Sequence, residues 1–282
     1  MSAAAVLLSL LAGACFAVSW ALQHRAAFSQ PDHAVGDPRL LFRLLRRRGW
    51  LAGRLLAVAG VVAQAMALRH GALSAVQPLM LTGIVFAVPL SAWLDRHATP
   101  RGQLGAVAVG SAGLAAFLVA AAPQEGTTRP STAEWIAVLA VCGGLVGLLL
   151  AAAQRRSGSG RATLLGLATG TLFGLAAALL KAVALHLGDG VVALSTQWTI
   201  YAWIAVCVLA LVLNQNAFQG TTLAAPLTSL ALSEPLVALA IGVSVFGERL
   251  HADGPRLLLA LAGIVAMVLG LRRLSPRLTA CA

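Results

Sequence analysis

The chain has 282 residues, of which 59% are hydrophobic and 10% charged, with a mean hydropathy of +0.87. Soluble domains carry about 25% charged residues, so this composition excludes one and calls for an integral membrane protein. The net charge of +11 would suit a nucleic-acid partner, but the arginines cluster between apolar segments, where membrane topology accounts for them and no nucleic acid is needed.

Crossing the hydrocarbon core takes about 20 apolar residues as a helix. The apolar runs are continuous and lack the alternation of a membrane barrel. The sequence therefore predicts an all-α polytopic protein of nine spans, at 2–22, 49–68, 72–94, 102–121, 134–153, 162–187, 192–213, 222–246 and 256–271. Residues 1–22 have no Lys or Arg ahead of the apolar stretch, and the first cation, Arg25, follows it; the segment reads as the first span and not as a cleaved signal peptide. "LAGAC", ending at Cys15, is similar to a lipoprotein cleavage box but lacks the basic start. The loop 23–48 carries "RLLRRRGW", an orientation signal attracted to anionic headgroups.

Placing the loops alternately on two sides leaves Arg69, Arg129, Arg249 and Arg256 on one side and fifteen arginines on the other. The positive-inside rule then puts the C-terminus in the cytoplasm and the N-terminus outside. Trp20, Trp50, Trp93, Trp135 and Trp198 fall near span ends, as an aromatic belt would. Nineteen of the twenty basic residues are Arg, which suggests a GC-rich bacterial genome and hence the bacterial plasma membrane. Cys15, Cys142, Cys207 and Cys281 show neither paired nor metal-type spacing.

The two halves echo each other. Pro78 and Pro89 lead to "DRHATPR" at 95–101, while Pro226 and Pro235 lead to "ERLHADGPR" at 248–256. Spans one to four match spans six to nine, with the fifth as a linking helix; an offset of five spans reverses direction and gives an inverted repeat. The expected units are a first repeat, 1–121, a linking helix with its loops, 122–160, a second repeat, 161–274, and a cytoplasmic tail, 275–282. A homodimer stays open.

Glu234 lies about twelve residues from either end of the eighth span, too deep for its short side chain to reach water. An ionised carboxylate there is costly, so it must face protein or water, pair with a cation or take up a proton. Pro235 removes a backbone donor beside it, and Pro78, Pro89, Pro226 and Pro235 together predict bent or unwound helices. Lys181, the only lysine, is six residues from the end of the sixth span, so snorkelling to the interface is one reading. The other follows from Gly166, Gly170 and Gly174, consecutive small-xxx-small steps for close helix packing. Lys181 shares roughly their face, so it would point into the bundle and pair with Glu234. Gln77 and Gln64 add amides able to contact a polar solute, and "NQN" at 214–216 lies at a span edge. No phosphate-binding glycine loop, nucleophile elbow or HExxH occurs, so neither an enzyme, a cofactor nor a bound metal is expected.

The stretch "LVLNQNAFQGTTLAAPLTSLALSEPLVALAIGVSVFGERLHADG", followed by "LALAGIVAMVLG", resembles the final spans of the drug/metabolite transporter superfamily, whose EamA-type members have a proline-containing span ending in Gly-Glu-Arg. That element stands here as Gly247, Glu248 and Arg249, and the glycine of the following span as Gly263. The first half has Asp95 and Arg96 in the matching place. EamA-type members have two five-span repeats. The nine-span layout and "WLAGRLLAVAGVVAQAMAL" look closer to the branch related to the NIPA magnesium transporters. The resemblance implies an alternating-access permease for a small organic solute, often an exporter coupled to protons, with Glu248 and Arg249 as a structural or gating ion pair. Magnesium transport is the alternative, although magnesium prefers several oxygen ligands and the spans hold one carboxylate. A non-transporting membrane scaffold is the second, and an intramembrane enzyme ranks last.

Overall fold

A computed structural model describes residues 3–28, 44–80, 101–121, 126, 130–186, 195–218, 224–250 and 253–274. Nearly all of them are helical, and no strand occurs among them. The helices are α1 (Ala3–Phe28), α2 (Arg48–Arg69), α3 (Leu73–Met80), α4 (Arg101–Ala121), α5 (Thr132–Gln154), α6 (Gly158–Leu185), α7 (Trp198–Ala217), α8 (Ala224–Ser244) and α9 (Gly254–Leu274). Each apolar segment of the sequence overlaps one of them. Five, namely α1, α2, α5, α6 and α7, are long and apolar enough to cross a membrane. The chain is a membrane-embedded, multi-pass helical protein.

Lipid solvates leucine as well as a protein interior does, so apolar area alone does not drive such helices together; close packing and polar contacts must. The outward faces accordingly keep large apolar side chains, among them Leu7, Leu55, Val62, Leu148 and Leu258, exposed. The inward faces use small residues. A Cβ on Gly166 would meet Ser229 Oγ and the Pro226 carbonyl, one on Gly170 would meet Ser233 Oγ and the Leu230 carbonyl, and one on Gly174 would lie 2.6 Å from the Glu234 carbonyl. The glycine stripe of α6 is thus the surface on which α8 rests. Gly13 does the same for α1 against α3, where a Cβ would lie 2.5 Å from the Met80 carbonyl.

The main packing pairs are α1 with α2, α6 with α7, α6 with α8, α1 with α3, α3 with α8 and α4 with α9. The last pair meets at two glycines that face each other: a Cβ on Gly113 would strike the Gly263 carbonyl, and one on Gly263 the Gly113 carbonyl. The fifth helix packs against α6 and starts from a capping box, with Ser131 N–H donating to Glu134 Oε2 at 2.6 Å and Glu134 N–H to Ser131 Oγ at 3.3 Å.

Three of the four prolines singled out in the sequence fall within described helices. Pro226 stands in the first turn of the described part of α8. Pro235 sits inside α8, which remains helical on both sides, so the helix is not unwound there, although the Ala231 carbonyl loses its donor. Pro78 falls within α3, and Pro89 lies outside the described residues.

Candidate functional site

Six helices enclose one cavity of about 100 Å³. Four contribute a regular face: Phe16, Ser19, Trp20 and Gln23 from α1; Arg54, Ala57, Val61 and Gln64 from α2; Phe173, Ala176, Ala177 and Leu180 from α6; and Trp203, Cys207, Leu211 and Asn214 from α7. Spacings of three and four residues keep each set on one side of its helix. Gln77 and Met80 of α3 and Glu234 of α8 complete the wall. Glu234, Gln77 and Gln64, distant in sequence, therefore line the same space.

The walls are mostly apolar, and several polar groups on them lack partners among the described residues. The Glu234 side chain is buried, yet no donor among the described residues reaches its carboxylate. Gln77 Nε2 and Asn214 Oδ1 are also buried without a hydrogen bond. Each such orphan costs about 1–3 kcal/mol unless something in the cavity satisfies it. Arg54 is half-buried beside Trp50, its guanidinium 5.9 Å from the ring centroid, and its Nη1 donates to Gln23 Oε1 at 3.3 Å. No carboxylate among the described residues pairs with it.

Around Arg54 the other amides are occupied. Gln23 Nε2 donates to Ser19 Oγ at 2.6 Å, Gln215 Nε2 donates to Gln23 Oε1 at 2.9 Å, and Trp50 Nε1 donates to Gln215 Oε1 at 3.1 Å. This network ties α1, α2 and α7 at one end of the bundle. Gln215 and Asn216 belong to that end, while Asn214, one residue earlier, turns into the cavity.

The opposite end is tied by a buried ion pair. Lys181 Nζ donates to Glu248 Oε1 at 2.6 Å and lies 4.9 Å from the Phe246 ring centroid. Leu73 N–H donates to Oε1 at 2.8 Å, and Ser74 donates to Oε2 through its N–H at 3.1 Å and its Oγ at 2.5 Å. One carboxylate thus neutralises the lysine and caps the N-terminus of α3, where a negative charge is favoured. The local sequence makes this reach feasible. Gly247 adopts a φ of +64° that disfavours any side chain, turning the chain so that Glu248 N–H donates to Gly242 O at 2.9 Å. A Cβ on Gly242 would strike the Glu248 carboxylate.

Three sequence expectations need correction. Lys181 pairs with Glu248 and not with Glu234, because it sits near the end of α6, level with the turn after α8 and not with its middle. Glu248 is buried but Arg249 is exposed, so the two do not form the expected ion pair. Trp20, Trp50 and Trp135 are 8%, 3% and 3% exposed, so they pack inside the bundle and are not belt residues; Trp198 is exposed, and Trp93 lies outside the described residues. The sequence reading also missed Arg54, counted among the loop charges. Its signal was there: it stands three, seven and ten residues before Ala57, Val61 and Gln64, on one helical face.

No family model matches the chain, and no solved structure matches it. A protein of Corynebacterium glutamicum described as uncharacterized is 29% identical over 246 residues, 87% of this chain and 85% of that protein. The likeness extends along nearly the whole of both chains.

Proposed function

We propose that the protein is a secondary-active, alternating-access transporter of a small organic solute, built from two inverted four-helix repeats, α1–α4 and α6–α9, joined by α5. The observation that carries this reading is internal. Phe16 and Phe173, Ser19 and Ala176, Trp20 and Ala177, Gln23 and Leu180, and Gln77 and Glu234 each stand 157 positions apart, and all ten line the cavity. Pro78 and Pro235, Gly13 and Gly170 keep the same offset. Arg54 and Cys207, Val61 and Asn214 stand 153 apart, a shift that loops of unequal length absorb. Fourteen of the nineteen lining residues thus fall into equivalent pairs.

The packing supports the same layout. Exchanging the repeats turns the α1–α2 contact into α6–α7, α1–α3 into α6–α8, and leaves α3–α8 and α4–α9 unchanged. The reciprocal contact of Gly113 and Gly263 is what a two-fold axis between α4 and α9 requires. Two structurally equivalent halves around one midplane cavity give a protein two facing states of similar energy, which is the requirement for alternating access. The ends are held by separate polar clusters, Lys181–Glu248–Ser74 at one and Trp50–Gln215–Gln23 at the other, so each can open independently. A scaffold has no use for this cavity.

Glu234 binds the substrate or the coupled proton, Gln77 is its counterpart from the other repeat, and Gln64 is a further polar contact. Lys181 belongs to the end closure. The arginine distribution supports an N-terminus outside and a C-terminus in the cytoplasm, in the plasma membrane of a bacterium. A magnesium site is disfavoured: one carboxylate, with a guanidinium on the same wall, is a poor donor set for a hard divalent cation.

The test uses purified protein in proteoliposomes, with internal pH and internal magnesium recorded while amines, amino acids or magnesium are added, wild type beside Glu234→Gln. A solute-evoked proton flux that Glu234→Gln loses is the expected result. Magnesium entry without proton movement, or a solute flux with unchanged pH dependence in Glu234→Gln, would overturn the assignment of Glu234.

A further inference from the structure

Shape in this cavity is shared between the halves, but charge is not. Arg54 on α2 has Cys207 as its counterpart on α7, and Glu234 on α8 has Gln77 as its counterpart on α3. Each half therefore contributes one ionisable group where the other has a neutral one, and the two contributions are opposite in sign. A symmetric pair of amides or thiols would have served packing equally well, so the asymmetry calls for a separate cause.

Neither group is neutralised by another described residue. Among the described residues Glu234 accepts no hydrogen bond and Arg54 has no carboxylate partner. Where the bundle needs a buried charge for cohesion, it pairs it fully, as Lys181 and Glu248 show with every carboxylate oxygen occupied. The orphaned amide atoms repeat the pattern: a donor, Gln77 Nε2, and an acceptor, Asn214 Oδ1, both buried on the cavity wall. Between the polar groups the wall is apolar and aromatic, formed by residues such as Phe16, Trp20, Phe173 and Leu180. The space, about 100 Å³, is below the roughly 300–1,000 Å³ of drug-sized sites.

We infer that the cavity takes a small zwitterion: a compact apolar body carrying one anionic group, received by Arg54, and one cationic group, received by Glu234. Such a solute pairs both unspent charges at once and brings no net charge into the membrane interior, where an uncompensated ion is costly. Because the charged residues come from different halves, only one orientation of the solute is favoured. Gln77 Nε2 and Asn214 Oδ1 supply a donor and an acceptor for its remaining polar atoms. This inference rests on the transport reading for its purpose, but binding alone tests it.

The test is a titration of the purified protein at pH 7, followed by intrinsic tryptophan fluorescence, since Trp20 and Trp203 line the cavity. The probes are L-leucine, 3-methylbutylamine, which is leucine without its carboxylate, and 4-methylpentanoate, which is leucine without its amine. Leucine is expected to bind at least about tenfold more tightly than either truncated probe, because a site that receives a charged group rejects an analogue lacking it. Arg54→Gln should erase the advantage over the amine and Glu234→Gln the advantage over the carboxylate, while Arg54→Lys, which keeps the charge, should retain most of it. Equal affinity for the amine and leucine, a leucine preference that survives Arg54→Gln, or no binding of any probe to folded protein would overturn the inference. Failure here with a positive proteoliposome flux for another solute leaves transport standing and removes only the zwitterion; binding without any flux does the reverse.

Discussion

Glu248→Gln is expected to destabilise the folded protein by about 3–5 kcal/mol, the cost of removing one partner from a buried ion pair. The carboxylate receives Lys181 Nζ, two backbone N–H groups and the Ser74 hydroxyl. An amide in its place offers one acceptor for four donors, strands the ammonium beside the Phe246 ring and turns its own NH₂ toward the end of α3. Lys181→Met should cost less, since the carboxylate keeps three donors and a favourable helix N-terminus. The two changes share one interaction, so the double variant should lose less than the sum of the singles by more than the roughly 0.5 kcal/mol scatter of independent sites. Thermal unfolding of the four proteins in detergent measures this. Strict additivity would mean that the pair does not hold the two chain segments together.

Gly170→Leu should prevent α8 from seating on α6. A Cβ at Gly170 already meets the Leu230 carbonyl and Ser233 Oγ, with Leu230 Cα at 3.0 Å. Two of these atoms are backbone, so no side-chain rotation relieves the overlap, and the helices must move apart. Overpacking a tight contact costs about 1–3 kcal/mol. Here the displaced helix also carries Glu234, so substrate binding should fail along with stability. Gly143→Ala and Gly147→Ala on α5 are the matched controls, because nothing lies within 4 Å of a Cβ at either position. They should leave the melting temperature unchanged or slightly raised, as alanine is the better helix former by about 1 kcal/mol. Yield and melting temperature from detergent read both sets, and equal loss in both would remove the special role of the α6 stripe.

The sequence carried much of this because membrane insertion imposes one dominant rule. Continuous apolar runs announced the helices and their approximate ends, since each must satisfy its backbone internally. Glu234 was visible for the same reason: a carboxylate twelve residues from water has few explanations. Gly166, Gly170 and Gly174 could be read as a packing face by spacing alone. What failed were statements about depth and partners. Pairing Lys181 with Glu234 required the axial level of two helices, which depends on how the chain turns after α8; Gly247, with its left-handed backbone, decides that turn and delivers Glu248 instead. Arg54 was hidden because a charge near a span end reads as an orientation signal whether it faces headgroups or a cavity. The echo between the halves was read from the prolines and the charged turns that follow them; the offset of 157 shared by Pro78 and Pro235 came into view only with the residues that line the cavity.

The most direct test of the transporter reading is counterflow. Proteoliposomes containing the purified protein are loaded with one unlabelled amine or amino acid, diluted into a trace of the same solute carrying a label, and followed with time. In an alternating-access carrier the unlabelled solute inside competes with the label for the inward-facing site and slows its exit, so labelled solute should accumulate transiently above its external level for at least one member of the panel and then decay. Monotonic equilibration would indicate a channel, and no protein-dependent entry for any member, from protein shown to be folded, would contradict the account.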